Sequence, residues 1–430
     1  MTGETYIGGR RPIETVNDHP DIVLVTVDSW RYDVIARMDA LRTSVVDYDR
    51  TEAICQSAAT PGVFPSILAS LYYPQAYTPS GRLRDSVSTL PTILSQHGYR
   101  TGAVVADNPF LDRFSEEFDF FWNGISGGET RFDRLLRLGL LRDTVPVTEV
   151  AERAKEWFTN EDEPTFLFTH LMDPHEPYLP GLRRGLSEGV VNSYRTLQKF
   201  AQDRQALSVS EKATIRNLYW HCIDYLDAHI NELLSFIPED AIVVLMGDHG
   251  EEFDHGAYRH ARLYDECIRV PFLSKNLARE RIEEAPIRQI DLAPTILAEL
   301  GIETPAMWIG EPVSGESRRT YLLNHSPHRG ESYVGMRSSD EKLVKTFSEG
   351  MENDLTTEFF DLQTDPHEKN NLYNGSMDRK QLRDLESDLD RFLVEKEIRE
   401  GIKYGTAPDT RKGERGEEVV EERLSALGYK

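Results

Sequence analysis

The sequence predicts an α/β protein, with a doubly wound, mostly parallel sheet and a small α+β subdomain towards its C-terminal end. Three observations predict this class. Short, unbroken apolar runs fill the first two-thirds of the chain, segments with helical periodicity lie between them, and the pattern changes after about Pro312. Unbroken apolar runs are typical of strands buried on both faces, and their alternation with helices is typical of parallel sheets.

Strands and helices alternate in the predicted main domain. Helices are predicted at 148–158 and at 209–237, where apolar residues recur at helical spacing. The apolar runs between such segments are rich in Val, Ile, Leu and Phe, so we predict that they form strands of one sheet. These predicted strands are Ile22–Val27, 102–106, Thr165–Leu171 and 241–246.

The last quarter of the chain is predicted to be antiparallel and helical. Segments 333–344 and 358–362 are predicted as short antiparallel strands, and a charged helix is predicted at about 377–398. The polar end of the chain contains one more candidate helix at 416–427. The predicted divisions are a main α/β domain at 1–312, a small antiparallel-sheet subdomain at 313–375 and a charged helical tail at 376–430.

The composition is strongly acidic, with 73 Asp and Glu residues against 49 Lys and Arg residues and a net charge of −24. Nucleic acid is therefore excluded as a partner of the whole surface, because phosphate binding requires clustered basic side chains. A heavily hydrated surface is the simplest interpretation. A more specific interpretation is that the protein is halophilic, and that its acidic surface preserves solubility in a salt-rich cytoplasm.

Signals for export or membrane insertion are absent from the sequence pattern. No apolar run approaches the roughly 20 residues that span a bilayer, and the stretch MTGETYIGGRRPIETVNDHP lacks the apolar core of a secretory signal. Cys55, Cys222 and Cys267 are too few and too scattered for a disulfide framework. We therefore expect a soluble, cytoplasmic protein, and its oligomeric state stays open.

Two of the predicted strands end in an acidic residue, and the second has a histidine beside it. Asp28 ends the run in DIVLVTVDSWRYD, and Asp248 and His249 end the run in AIVVLMGDHGEEFDHG. Because ligands of open parallel sheets bind beyond the carboxyl ends of the strands, these side chains are candidate ligands of one divalent metal ion. Either aspartate alone could simply cap the following turn, but the two together with the histidine favour a metal site.

Six segments in the same order over about residues 21–372 match the motifs of one enzyme family. They are VTVDSWRYD, THLMDPHEPY, MGDHGEEFDHG, HARLYDECIRVPF, IDLAPTILAELGI and FFDLQTDPHEKNNL. Through them the chain resembles the sulfatase family of the alkaline phosphatase superfamily. The resemblance implies an alkaline phosphatase-like fold, a bound divalent metal ion and hydrolysis of sulfate esters.

One residue of the implied metal site departs from the family. Many members carry a further Asp after the first one, whereas this chain has Ser29 after Asp28. Phosphonate and phosphodiester hydrolases of the superfamily resemble the chain at this position. Two carboxylates and one imidazole suit calcium less well than an all-oxygen site does, so Mn, Mg and Zn stand beside Ca as candidate metals.

The nucleophile motif is atypical. Family members use a Cys or Ser matured to formylglycine, or an unmodified Ser or Thr, at the start of a helix. In CQSAATPGVFPSILASLYYP, alignment on Pro65 places Val63 at the nucleophile position, and Cys55 lacks the residues that maturation requires. We favour the hydroxyl of Thr60 as the nucleophile. Ser66, attack by a water on the metal, and the absence of catalysis stay open.

Three histidines are candidate substrate contacts by resemblance. His175 in DPHEPY and His260 correspond to residues that bind the anionic oxygens or protonate the leaving group, and His255 occupies a short His-Gly step. Each could instead be an ordinary polar loop residue. Arg31 could contact the anion, although a structural ion pair with Asp33 is the better interpretation.

Hydrolysis of sulfate esters is the function that the sequence favours. The alternatives are a phosphodiester or phosphonate ester hydrolase or a headgroup transferase of the same superfamily, and a catalytically degenerate protein that binds a metal and an anionic glycan. The expected substrate is a small-molecule or glycan sulfate or phosphate ester.

Overall fold

The structure is a computed structural model of the chain. The predicted helix at 416–427 lies outside the residues that it describes. Those residues are 19–124, 145–158, 163–179, 190–204, 206–256, 259–277, 282, 285–351, 353–373, 379–395 and 398–402.

A large sheet forms the centre of the described chain. Its strands are β1 (Ile22–Val27), β2 (Asp49–Ile54), β3 (Arg100–Val105), β4 (Phe120–Asn123), β5 (Thr165–Leu171), β6 (Ile242–Gly247), β7 (Arg269–Lys275) and β8 (Ile287–Arg288). They lie side by side in the order β4–β3–β5–β1–β6–β7–β2–β8. Neighbouring strands are parallel, except that β7 runs antiparallel to β6 and to β2. The predicted mostly parallel sheet is therefore confirmed.

Both faces of this sheet are covered, which explains the unbroken apolar runs. In β1, Ile22 and Leu24 belong to one apolar cluster, whereas Val23, Val25 and Val27 belong to a second cluster. Successive side chains of a strand point to opposite faces, so the two clusters lie on opposite sides of the sheet. All five side chains are fully buried, as expected for a strand of a doubly wound fold.

Helices provide the cover on both faces. No helix within the described ranges is long and apolar enough to cross a bilayer. The helices are α1 (Asp39–Ser44), α2 (Thr60–Ala69), α3 (Tyr73–Ala76), α4 (Leu90–Gln96), α5 (Val147–Phe158), α6 (Val190–Gln202), α7 (Val209–Leu234), α8 (Asp265–Ile268), α9 (Leu292–Glu299), α10 (Arg379–Glu395) and α11 (Ile398–Gly401), with 3₁₀ turns at Tyr32–Arg37, Leu111–Glu117, Gln289–Asp291 and Glu349–Met351. The predicted helices at 148–158 and 209–237 correspond to α5 and α7.

A second, antiparallel sheet follows, and it corrects one prediction. Its strands are β9 (Thr320–Ser326), β10 (Glu331–Arg337), β11 (Glu341–Ser348) and β12 (Asp354–Asp361), in the order β12–β11–β10–β9. The single strand predicted at 333–344 is wrong, because a tight turn separates β10 from β11. In this turn the backbone N–H of Ser338 donates to the carbonyl oxygen of Glu341, at 2.9 Å.

The second sheet packs on the large one without a solvent layer. Leu322 of β9 and Val334 of β10 belong to the same apolar cluster as Ile54 of β2, and so does Leu389 of α10. The charged helix predicted at 377–398 is therefore amphipathic, with a buried apolar face. The proposed divisions at 312 and 375 stay predictions.

Lys342 joins the two sheets through a buried ionic cluster. Its side chain is fully buried, and its ammonium lies 2.9 Å from Asp265 Oδ1 and 2.6 Å from Glu368 Oε1. Arg337 binds the same Asp265 carboxylate, at 2.7 Å. Two buried carboxylates therefore depend on two cations supplied by the second sheet.

We expect Lys342→Met to lower the free energy of unfolding by about 3 kcal/mol, because it leaves Asp265 and Glu368 buried beside one cation. Denaturant unfolding followed by circular dichroism measures this change. The matched control is Lys345→Met, since Lys345 lies in the same strand but is 3.7 Å and 3.8 Å from Glu386 and Asp390. Such loose pairs are worth about 1 kcal/mol or less. If the two variants lost the same free energy of unfolding, the expected contribution of the buried ionic cluster at Lys342 would be contradicted.

Candidate active site

The three predicted metal ligands meet at one edge of the large sheet. Strands β1 and β6 are parallel neighbours in which Val27 pairs with Gly247, so Asp28 and Asp248 follow at the same level. Asp28, Asp248 and His249 are fully buried, and each offers one ligand atom within 4.8 Å of the other two. The expectation that two distant segments bring these side chains together is met in the structure.

Short-range hydrogen bonds orient these ligands. Ser29 has a left-handed backbone (φ 55°), and its hydroxyl donates to Asp28 Oδ1 at 2.7 Å. The backbone N–H of His249 donates to Asp248 Oδ1 at 2.6 Å. His249 Nδ1 lies 2.8 Å from the carbonyl oxygen of Gly250, which can only accept, so Nδ1 carries the proton. The lone pair of a neutral His249 is then on Nε2, which faces the carboxylates.

The electrostatics of the Asp28 and Asp248 carboxylates favour a bound cation. Burial and the charge of Asp28 raise the pKa of the Asp248 carboxyl well above its ordinary value. Burial would also raise the pKa of Asp28, but His175, His249 and His170 hold it well below its ordinary value. Among the described residues, the ionic partners of the two carboxylates are imidazoles. Two buried carboxylates with one imidazole therefore fit a divalent cation.

Thr60 places a hydroxyl among the three ligands. Its Oγ1 lies 3.1 Å from Asp28 Oδ2, 3.0 Å from Asp248 Oδ2 and 3.3 Å from His249 Nε2. Thr60 is fully buried and is the first residue of α2, and the following Pro61 suits the first turn of a helix.

The other nucleophile candidates lie in different environments. Ser66 is in the body of α2, and its hydroxyl donates to the carbonyl oxygen of Leu71 at 3.0 Å, so it is engaged within its own segment rather than with the candidate metal ligands. Val63 is a buried core residue, and alignment on Pro65 misplaced the site because α2 begins five residues earlier. The Cys55 thiol donates to the carbonyl oxygen of Asp248 at 3.1 Å, and burial raises its pKa.

His175 and His260 are brought to the site. The His260 ring is centred 4.3 Å from the ring of His249 and 5.6 Å from that of His175. His175 Nδ1 lies 2.5 Å from the carbonyl oxygen of Glu176, and His260 Nδ1 lies 3.4 Å from Glu251 Oε2. Burial, followed by His249 and His175, lowers the pKa of His260 well below its ordinary value, so its ring is uncharged.

His255 is a correction to the predicted substrate contacts. Its Nδ1 lies 2.5 Å from Glu266 Oε1, its Nε2 lies 3.2 Å from the carbonyl oxygen of Glu368, and its ring stacks on Tyr264 at 3.7 Å. Both ring nitrogens are thus occupied, Nδ1 by Glu266 of α8 and Nε2 by the segment that follows β12. His255 has a structural role here, and the substrate role is withdrawn.

Sequence reasoning missed His170 and Asn108. His170 pairs with Thr26 in the register of β5 and β1, and its Nδ1 lies 2.9 Å from Thr26 Oγ1. Its Nε2 lies 3.2 Å from Asn108 Nδ2 and 3.6 Å from Asp28 Oδ2. The signal available in the sequence is a polar residue at the carboxyl end of an apolar strand, which is the same signal that identified Asp28.

We expect His170→Ala to weaken divalent-metal binding by about 10- to 100-fold, which is typical for residues that support a metal ligand. The physical reason is that His170 lowers the pKa of Asp28 and lies 3.6 Å from its Oδ2. Titration calorimetry with Mn²⁺ measures the affinity. His229→Ala, in which a surface histidine paired with Glu232 is removed, is the control. An unchanged affinity in His170→Ala would show that Asp28 needs no such support.

Comparison with known families agrees with the motif order. A family model described as "Sulfatase" matches residues 20–302. A second model, described as "N-sulphoglucosamine sulphohydrolase, C-terminal", matches residues 253–396. Together the two matches extend over both sheets.

Curated relatives are similar over part of their length. An uncharacterized sulfatase, YidJ, of Escherichia coli is 26% identical over 246 residues, which are 49% of this chain and 47% of the relative. An N-acetylglucosamine-6-O-sulfatase of Bacteroides thetaiotaomicron is 26% identical over 184 residues, or 37% of this chain and 32% of the relative. The chain spans about half the length, or less, of the curated relatives it matches.

Solved structures share the fold over nearly the whole chain. A protein in complex with its substrate D-glucosamine-2-N,6-O-disulfate has a TM-score of 0.67 and 14% identity, with 91% of this chain and 99% of that chain covered. A phosphonate monoester hydrolase of Agrobacterium radiobacter has a TM-score of 0.61 and 15% identity, with coverages of 89% and 96%.

Proposed function

The chain belongs to the sulfatase family, and on that premise we propose that it is a metal-dependent hydrolase of sulfate esters. The observation that carries the proposal is the Thr60 hydroxyl, which lies 3.0 to 3.3 Å from atoms of Asp28, Asp248 and His249. Three candidate metal ligands and a candidate nucleophile thus share one buried site at the N-terminus of α2. The structural neighbour that was solved with its substrate D-glucosamine-2-N,6-O-disulfate supports a glycan sulfate ester as the substrate class.

Thr60 acts as the nucleophile in this proposal, without conversion to formylglycine. Its hydroxyl has one proton, which either Asp28 or Asp248 can accept. A divalent cation held by Asp28, Asp248 and His249 would polarise the ester and lower the pKa of the hydroxyl. The bond from Thr60 Oγ1 to sulfur then forms as the bond from sulfur to the alcohol oxygen breaks. A water then attacks the same sulfur as the bond from sulfur to Thr60 Oγ1 breaks. Sulfate is released, and Thr60 Oγ1 takes back the proton that the carboxylate accepted.

The remaining groups balance charge around the ester. The N-terminus of α2 is the positive end of the helix dipole, which suits an anion. His260 is uncharged in the free protein, so we assign it to hydrogen bonding with the anionic oxygens. His175 is assigned to protonation of the departing alcohol. Mn²⁺, Mg²⁺ and Zn²⁺ fit the mixed carboxylate and imidazole ligands better than Ca²⁺ does.

The test is hydrolysis of matched esters by the purified protein. An aryl sulfate, the corresponding aryl phosphate, an aryl phosphodiester and a sulfated amino sugar are supplied with Mn²⁺. We expect the sulfate esters to have the highest kcat/KM, and a chelator to remove the activity. Turnover of the phosphorus esters alone would assign the protein to phosphorus chemistry, and no turnover of any ester would favour a protein that only binds anions.

The acidic composition supports a proposal about the working environment. A net charge of −24 causes self-repulsion that dissolved salt screens. A salt-rich cytoplasm is therefore the setting that we propose for this protein. Unfolding measured against KCl concentration tests the proposal, since a halophilic protein gains stability as the salt concentration rises, and a constant midpoint would speak against it.

A further inference from the structure

Arg31 lies three residues after the metal-ligand candidate Asp28, and all three nitrogens of its guanidinium group donate hydrogen bonds. Nε and Nη2 donate to the two carboxylate oxygens of Asp33, both at 2.9 Å. Nη1 donates to the carbonyl oxygen of Glu251 at 2.9 Å and to Glu266 Oε2 at 2.8 Å, and Nη2 also donates to Asp254 Oδ2 at 3.1 Å. A guanidinium has five N–H donors, and Arg31 makes five such bonds. It therefore has none left for the substrate anion.

The Glu266 carboxylate holds the loop that follows Asp248 and His249 through backbone hydrogen bonds. Its Oε2 accepts from the backbone N–H groups of Phe253 and Asp254, both at 2.8 Å, and its Oε1 accepts from that of His255 at 3.1 Å. Burial would raise the pKa of Glu266, but the bonds from His255, from the backbone and from Arg31 lower it to about 2. This carboxylate is charged throughout the working pH range.

The bond between Arg31 and Glu266 joins the two halves of the candidate metal site. Arg31 belongs to the segment after β1, which also provides Asp28. Glu251 and Asp254 belong to the loop after β6, and Glu266 of α8 holds this loop. The two side chains are only 7% and 6% exposed, so solvent screens the pair weakly.

We propose that Arg31 and Glu266 are positioning residues that fix the spacing between Asp28 and the Asp248–His249 pair, so that the metal site is formed before the cation binds. This inference rests on the proposed function, because it concerns the same metal site. A site assembled in advance binds its cation more tightly, since no free energy is spent on ordering the loop. Neither residue touches the substrate or the reacting atoms.

The experiment compares Arg31→Lys and Glu266→Gln with Arg216→Lys. Lys keeps the charge of Arg31 but cannot reproduce the planar, five-donor geometry, and Gln keeps one acceptor oxygen of Glu266. Arg216 is the matched control, because it also binds Asp254 but is exposed and makes no bond to Glu251 or Glu266. Titration calorimetry measures the dissociation constant for Mn²⁺, and melting curves without metal confirm that each variant is folded.

We expect Arg31→Lys and Glu266→Gln to raise the dissociation constant for Mn²⁺ by about 10- to 100-fold, as for other residues that support metal ligands. Arg216→Lys is expected to bind Mn²⁺ as the parent does. With saturating Mn²⁺, kcat is expected to recover towards the parent value while KM for the ester stays unchanged, which a general loss of folding would not produce. If Arg31→Lys is folded, the Mn²⁺ affinity of the milder variant Glu266→Gln is an independent second test of the positioning role. If Arg31→Lys does not fold, the affinity of Glu266→Gln alone tests it.

Failure of this inference differs from failure of the proposed function. Parent-like Mn²⁺ affinity in a folded Arg31→Lys or Glu266→Gln variant would overturn the positioning role, whatever the turnover. A parent that binds Mn²⁺ but hydrolyses no ester would overturn the proposed function, and the calorimetric comparison would still decide the positioning role.

Discussion

Replacing Thr60 by Ala is expected to lower kcat for a sulfate ester by about 10⁴- to 10⁶-fold, the range seen when a residue of a hydrolase's catalytic triad is removed. Thr60 Oγ1 lies within 3.3 Å of atoms of all three candidate metal ligands. Without it the protein lacks the oxygen that attacks sulfur in the proposed mechanism. Mn²⁺ affinity is expected to change little, because Asp28, Asp248 and His249 all remain.

Two further variants make this result interpretable. Thr60→Ser keeps the hydroxyl, so we expect it to retain measurable turnover. Thr214→Ala removes a threonine hydroxyl that bonds within α7, to the carbonyl oxygen of Ser210, and we expect it to behave as the parent does. Parent-like turnover in Thr60→Ala would instead assign the attack to water and remove Thr60 from the mechanism.

Replacing Asp248 by Asn is expected to weaken Mn²⁺ binding by more than the roughly 100-fold that loss of a supporting residue can cause, because an anionic ligand itself is lost. In the parent, saturating Mn²⁺ is expected to raise the Tm, since a ligand that binds the folded state stabilises it. In Asp248→Asn this rise is expected to disappear. Calorimetry gives the affinity and scanning fluorimetry gives the Tm.

The same substitution is expected to stabilise the metal-free protein. Burial and the charge of Asp28 raise the pKa of Asp248, so the stability linked to its protonated form is present at pH below about 3.8 and is lost as the pH rises. Asn cannot ionise and does not lose this stability. The metal-free variant is therefore expected to melt above the metal-free parent, by an amount that grows with pH. A variant that melts below the parent at neutral pH would contradict the repulsion between the two carboxylates.

Apolar patterning was sufficient for the centre of the fold. The predicted strands at Ile22–Val27 and Thr165–Leu171 have the bounds that the structure shows, because strands buried on both faces are apolar at every position. The meeting of Asp28 with Asp248 and His249 also followed from the pattern, since carboxyl ends of neighbouring parallel strands share one edge of the sheet.

Other features depend on geometry that the pattern does not contain. Helix α2 starts at Thr60 rather than near Pro65, and its first turn packs closely on the loop before it, since a Cβ on Gly62 would lie 2.1 Å from Ser57 Oγ. His170 was missed because one polar residue within an apolar strand gives no indication of its partners. The ionic cluster at Lys342 could not be foreseen, since it joins residues from three separate parts of the chain.

The most direct measurement is a crystal structure of the protein soaked with Mn²⁺, in which anomalous scattering locates the ion. We expect one strong anomalous peak within about 2.5 Å of ligand atoms of Asp28, Asp248 and His249, with Thr60 Oγ1 beside it. A peak at another cluster of side chains, or no peak at this edge of the sheet at saturating Mn²⁺, would contradict a metal centre built from the ends of β1 and β6.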